Sequence, residues 1–285
     1  MPPVAITNTE VLPLRSRNVE QEFQVWVARP SPGAFHPLPD RLPVLYVLDA
    51  DLFFGMAVDM TRIMHRLWGE LPPFLVVGIA YGTDEPAVQG ELRNRDFTPT
   101  PDPAFEEMAR RFAPDREPLL PEGYRMGRAG DFLRFLRDEV QPMVAGRYPV
   151  DAGSATLFGS SLGGLFASYT LLTEPDAFSH YVLASPSLWW NSGVLFDLEA
   201  RRAADAADLP ASAFLSAGSR EEGTGNPMLD QYKLVSNTKA MAERLAGRDY
   251  PSLRVSIEII QGETHTSVVS VALTRGLRAL HGRTL

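Results

Sequence analysis

Ser154-Ala-Thr-Leu-Phe-Gly-Ser-Ser-Leu-Gly-Gly-Leu-Phe-Ala-Ser168 carries an apolar, strand-forming run up to Gly159 and a helix-forming run from about Leu162. Between them Gly159, Ser161 and Gly163 satisfy the spacing G-x-S-x-G. Its physical content is a strand-to-helix turn so tight that the serine takes a strained backbone and the flanking side chains must vanish. A hydroxyl is thereby held at a strand tip. The free N–H groups and positive dipole end of the following helix favour an oxyanion at the same place. Ser160 is adjacent, but only Ser161 has glycine two residues away on both sides, so Ser161 is the expected nucleophile.

Outward from this point the chain alternates strands and helices. Leu42–Leu48 and Phe74–Ala80 are continuous apolar runs of the kind buried on both faces of a parallel sheet, with a helix from about Leu52 to Leu67 between them. Before them, extended segments near Ile6–Ser16 and Val19–Arg29 flank a turn at Arg17-Asn18 and predict an antiparallel hairpin. A helix is expected over Arg128–Val140, ended by Pro142; strands at Tyr181–Ala184, Ala213–Ala217 and Leu253–Ile260; helices at Leu229–Leu245 and Val268–Leu280. The pattern predicts an α/β fold: one doubly wound, mostly parallel sheet with an antiparallel N-terminal hairpin, as a single domain over residues 1–285.

Residues 83–127 break the rhythm, with six prolines from Pro99 to Pro121 around one short helix near Ala104–Phe112. So long an irregular stretch is expected to be a lid or substrate-binding insertion. Its Arg93 and Arg95 are candidates to hold an anionic substrate group. After the Tyr181 strand comes Ser185-Pro-Ser-Leu-Trp-Trp190, and Trp189 and Trp190 are candidates to line a pocket, since ligands bind beyond the carboxyl ends of such strands.

A serine hydroxyl needs a base and a group to orient it. Of the five histidines, His36 lies in a proline-rich loop and is expected to be solvated, His65 in a helix, His180 at a strand start and His281 on the last helix. Only His265 follows a strand directly, at the sheet edge that carries Ser161. The acid is sought between them in the chain: Glu221, with Glu222 and then Asp230 as alternatives. The oxyanion hole is assigned to the backbone amides of Leu162 and Asp51, or Ala50 in place of the latter.

The chain as a whole sets wider bounds. It has 285 residues, 45% hydrophobic and 22% charged, with net charge −8 and pI near 5.2. That balance argues against nucleic acid or an anionic membrane as partner. The absence of cysteine removes disulfides and thiolate chemistry. The start, Met1-Pro-Pro-Val-Ala-Ile-Thr-Asn8, lacks the features of a secretory leader, so the chain is read as cytoplasmic.

Taken together, Val44-Leu-Tyr-Val-Leu-Asp49, Arg95-Asp-Phe-Thr-Pro99, Gly159-Ser-Ser-Leu-Gly-Gly164, Ser185-Pro-Ser-Leu-Trp-Trp190, Gly262-Glu-Thr-His-Thr-Ser267 and Arg275-Gly-Leu277 resemble one esterase branch of the α/β-hydrolases. That branch contains trilactone siderophore esterases, feruloyl esterases and S-formylglutathione hydrolases, and the resemblance is strongest to the siderophore-esterase-like members. It implies an α/β-hydrolase fold and hydrolysis of a small-molecule carboxylic ester through an acyl-Ser161 intermediate, with no metal or organic cofactor. Relatives usually carry histidine where this chain has Ser160 and often glycine where it has Ala50. The rival readings are an acyltransferase or peptidase with the same residues, separable by offering alcohol or amine acceptors, and a catalytically silent binding protein, separable by fluorophosphonate labelling.

Overall fold

The computed structural model describes residues 5–33, 36–112, 118, 120 and 125–282. The first residues of the amino-terminal reading and part of the 83–127 insertion lie outside these. Eight strands, β1 (Thr9–Arg15), β2 (Glu22–Ala28), β3 (Leu42–Val47), β4 (Leu75–Ala80), β5 (Val150–Ser160), β6 (His180–Ala184), β7 (Ser212–Gly218) and β8 (Arg254–Ile260), form one sheet. Their order is β1-β2-β4-β3-β5-β6-β7-β8. The hairpin β1–β2 is antiparallel and β2 meets β4 antiparallel; every later pairing is parallel. This is the α/β-hydrolase architecture.

The apolar runs fall where a doubly covered sheet needs them. All six residues of β3 and all six of β4 are buried, whereas edge strand β1 alternates between exposed and half-buried. Helix α1 (Ala50–Arg66) covers one face through Phe54, Ala57 and Val58. The closing helix of the chain packs beside it and completes a core with Val268, Ala272, Leu273 and Leu277. The larger core fills the other face, around Phe23, Phe132, Phe135, Phe166, Leu183 and Leu215.

In the insertion the structure departs from the single expected helix. Its described residues hold two, α2 (Pro86–Phe97) and α3 (Pro103–Phe112). The sequence hides α2 because its inward face holds Arg95 and Asp96 beside Leu92 and Phe97, and a buried ion pair leaves no apolar periodicity to detect. The next helix also differs: α4 (Ala129–Phe135) runs through a π-turn (Leu136–Val140) into α5 (Gln141–Arg147). Pro142 therefore does not end it. Proline is tolerated in the first turn of a helix, and the wider turn in front frees its position.

Beyond α6 (Leu162–Thr173), the stretch between Asn191 and Ala213, to which the sequence reading assigns no element, holds α7 (Trp190–Asp205), broken by left-handed residues at Asn191, Ser192 and Gly193. The helix expected from Leu229 divides into a short α8 (Pro227–Asp230) and α9 (Leu234–Ala246) around the left-handed Lys233. The last helix, α10, spans Val268–His281. No helix of the described residues is long and apolar enough to cross a membrane.

Candidate active site

Ser161 stands between β5 and α6 with φ 59° and ψ −117°, a conformation costly for a residue with a side chain. The elbow closes only because Gly159 has no Cβ: one placed there would lie 2.2 Å from the carbonyl oxygen of Gly163. Sequence and geometry coincide here, since the strain is affordable only with glycine at that position.

From the loop between β8 and α10, His265 brings Nε2 to 3.1 Å from the Ser161 hydroxyl. Its Nδ1 lies 3.0 Å from Oε2 of Glu221, which sits just past the end of β7. Three strand ends thus supply three side chains to one spot. Glu221 is 2% exposed, and its Oε1 accepts hydrogen bonds from the Ser185 hydroxyl at 2.6 Å and the Gly218 amide at 2.7 Å. The alternatives are occupied elsewhere. Glu222 accepts from the amide and hydroxyl of Ser236 in α9, and Asp230 accepts from Thr224 and Gly225.

At the other assigned donors, Leu162 is the first residue of α6 and Asp51 the second of α1, and amides in a first helical turn have no acceptor within the helix. Asp51 lines the cleft wall. Its carboxylate accepts from the Tyr81 amide at 3.2 Å and draws on its own backbone N–H.

Two cavities flank the Ser161–His265 pair. One, about 420 Å³, runs between the β3–α1 turn and α2 past Leu52, Phe53 and Tyr81. The other, about 430 Å³, is walled by Phe105, Trp189, Tyr232 and Leu234, with Arg220 in its lining. The rings of Trp189 and Tyr232 lie 4.4 Å apart. Arg93 faces both cavities. Its Nε is 2.7 Å from Oδ1 of the buried Asp49, and Nη2 donates to the Ser160 carbonyl at 3.3 Å. Burial works against the Arg93 charge and Asp49 works for it; the net shift of its pKa is upward, so it stays cationic.

Three expectations need correction. Arg95 is 6% exposed and forks onto Asp96, with Nε and Nη2 at 2.7 and 2.9 Å from its carboxylate oxygens. It lines neither cavity beside Ser161, because its helical position turns it into the core, where the charge requires a buried partner. Trp190 is fully buried and its Nε1–H donates to the Thr100 carbonyl at 2.9 Å. Trp190 therefore ties the insertion to the core, and Trp189 alone of the pair faces the cavity. His36 packs its ring 6.0 Å from that of His65 and is not simply solvated. The sequence reading passed over Phe105, Arg220 and Tyr232, which reach the cavity from three separate segments, so no local pattern marks them. Among the described residues no cluster of three or more His, Asp or Glu is arranged to hold a metal ion.

A family model described as "Putative esterase" matches residues 16–262. The chain is 34% identical over 285 residues to the ferri-bacillibactin esterase BesA of Bacillus subtilis, covering 97% of this chain and 91% of that one. It is 30% identical over 262 residues to a siderophore triacetylfusarinine C esterase of Aspergillus fumigatus, covering 83% and 80%. Among solved structures, the BES protein from Bacillus cereus superposes with TM-score 0.79 at 30% identity, covering 99% of this chain and 98% of that one.

Proposed function

Because the chain belongs to the esterase family whose model spans residues 16–262, we propose that it hydrolyses carboxylic esters through an acyl-Ser161 intermediate. The observation that carries this reading is the continuous line of contacts from Ser161 through His265 to Glu221. In it His265 takes the Ser161 proton as Oγ attacks the ester carbonyl, and Glu221 holds the imidazole tautomer and faces its developing charge. The carbonyl oxygen, now an anion, is received by the amide of Leu162 and by that of Asp51, or of Ala50 where the Asp51 amide is held by its own carboxylate. His265 then delivers the proton to the leaving alcohol. A water deprotonated by the same imidazole attacks the acyl carbon, and collapse of that second intermediate returns the proton to Ser161.

The two cavities suit an ester with substantial groups on either side of the scissile bond. Arg93, common to both walls, would hold an anionic group, and the ring wall of Phe105, Trp189 and Tyr232 a flat one. Siderophore esters, the class for which the Aspergillus fumigatus relative is named, are the substrate class we assign. The 83–127 insertion is read as the part that decides which ester fits.

The test is labelling with a fluorophosphonate, together with turnover of short p-nitrophenyl, aryl and siderophore lactone esters. The adduct should fall on Ser161, Ser161→Ala should lose about 10⁴-fold or more in kcat, and siderophore lactones should give the highest kcat/KM. Unimpaired turnover by Ser161→Ala would end the proposal.

A further inference from the structure

The residues that follow β6 touch both ends of the Ser161–His265–Glu221 line without belonging to it. The Ser161 amide donates to the Ala184 carbonyl at 3.0 Å, and the Ser187 amide donates to the Ser161 carbonyl at 3.1 Å. The strained serine is clamped on both sides by four consecutive residues. Between these two anchors, Ser185 is fully buried, holds φ at +43°, and donates its hydroxyl to Glu221 at 2.6 Å. Its own amide is fixed by the Ser216 carbonyl at 2.7 Å.

A left-handed serine in a fully buried position costs free energy that glycine would not, and such outliers persist where the surroundings hold them in place. The hydrogen bond on Glu221 is what this conformation achieves. Oε1 receives two donors, Ser185 and Gly218, and Oε2 receives His265. With Oε1 engaged, the carboxylate cannot rotate, so Oε2 stays aimed at the imidazole. Gly218 donates from the backbone of the strand itself; the hydroxyl of Ser185 is the side-chain donor that selects the rotamer.

We propose that Ser185 is a positioning residue for the ester-cleaving reaction: its buried hydroxyl fixes the Glu221 carboxylate against His265 while the backbone on either side of it clamps Ser161. The inference rests on the esterase reading for its kinetic consequence but not for its geometric one. Of the titratable side chains among the described residues, only His265 is hydrogen-bonded to Glu221. The consequence of losing the Ser185 donor therefore has one direction. The carboxylate becomes more basic and holds a proton on the His265–Glu221 pair to higher pH, so the acidic limb of the pH–kcat/KM profile moves upward.

The experiment compares Ser185→Ala and Ser185→Gly with the parent, alone and in a Glu221→Gln background. Ser185→Gly removes the hydroxyl as Ser185→Ala does but relieves the left-handed backbone, which separates loss of the hydrogen bond from backbone strain. Both should lose kcat on the order of 10- to 100-fold, the range for a buried hydrogen bond to a charged group, with KM within about twofold and the acidic limb moved to higher pH. In the Glu221→Gln background the further loss should nearly vanish, as for residues acting through one another. Independently of activity, the far-downfield Nδ1–H proton resonance of His265 should move in both variants. An unchanged resonance and pH profile, or a full additive loss without the carboxylate, would overturn the role given to Ser185. A parent inactive on every ester but showing the resonance shift would sink the esterase reading and leave this inference standing.

Discussion

Glu221 and Glu222 are adjacent in the chain, yet one is turned inward to His265 and the other outward to Ser236 at the start of α9. Their replacement should separate chemistry from scaffolding. Glu221→Gln keeps the shape but removes the charge facing the imidazole and should lower kcat about 10⁴-fold, as loss of the acid does in comparable sites. Glu222→Gln should leave initial rates near those of the parent and weaken only the first turn of α9, by about 1 kcal/mol or less in thermal or denaturant unfolding. Rates and melts on the two purified variants check both outcomes. The sequence could narrow the acid to this pair by its place after a strand and no further. Which of two neighbouring loop side chains points inward is decided by Gly218 and Ser185, partners that only folding brings near.

At the scale of elements, α2 is the wall between the cleft and the insertion. Its inward side is Leu92, Arg95, Asp96 and Phe97, all buried, while Arg93 on the cleft side anchors it to Asp49. Gly90 sits in the middle of this helix, and a Cβ there would meet nothing within 4 Å. Glycine in a helix interior costs backbone entropy that alanine does not, so Gly90→Ala should stabilise the protein by about 0.5–1 kcal/mol. A melting temperature unchanged or lowered would show that α2 contributes nothing to cooperative unfolding. The strands around it were legible as uninterrupted apolar runs, because a strand covered on both sides has no solvent face to reveal. The helix was not, because the Arg95–Asp96 ion pair shares its core-facing side with Leu92 and Phe97 and breaks the apolar period.

For the molecule as a whole, the end of the sheet away from Ser161 holds a second feature of consequence. Thr156 of β5 and His180 of β6 are register partners. His281 of α10 lies between Thr156, 2.8 Å from its Nε2, and the ring of Phe74, with the His180 ring 4.2 Å away. Burial, aided by the neighbouring His180, pushes the His281 pKa down to about 3, and burial lowers that of His180 as well. Between that value and the ordinary 6.5 the unfolded chain binds a proton at His281 that the folded chain refuses, so stability rises with pH across the window and falls as acid is added. Thermal melts from pH 6.5 to 4 should show a declining midpoint, and His281→Gln, which keeps a polar partner for Thr156, should make the decline shallower. An identical slope in the variant would remove His281 from the account. What the sequence by itself determined is the succession of strands along the chain, the Ser161 elbow and the loop that carries His265, since each is written in local spacing that sterics and periodicity enforce. Tertiary structure alone decided that Glu221 faces the imidazole, that Trp189 and not Trp190 meets the cavity, and that Arg95 is spent on Asp96. Those outcomes depend on where distant segments deliver their donors, charges and rings, and no short window of sequence contains both partners.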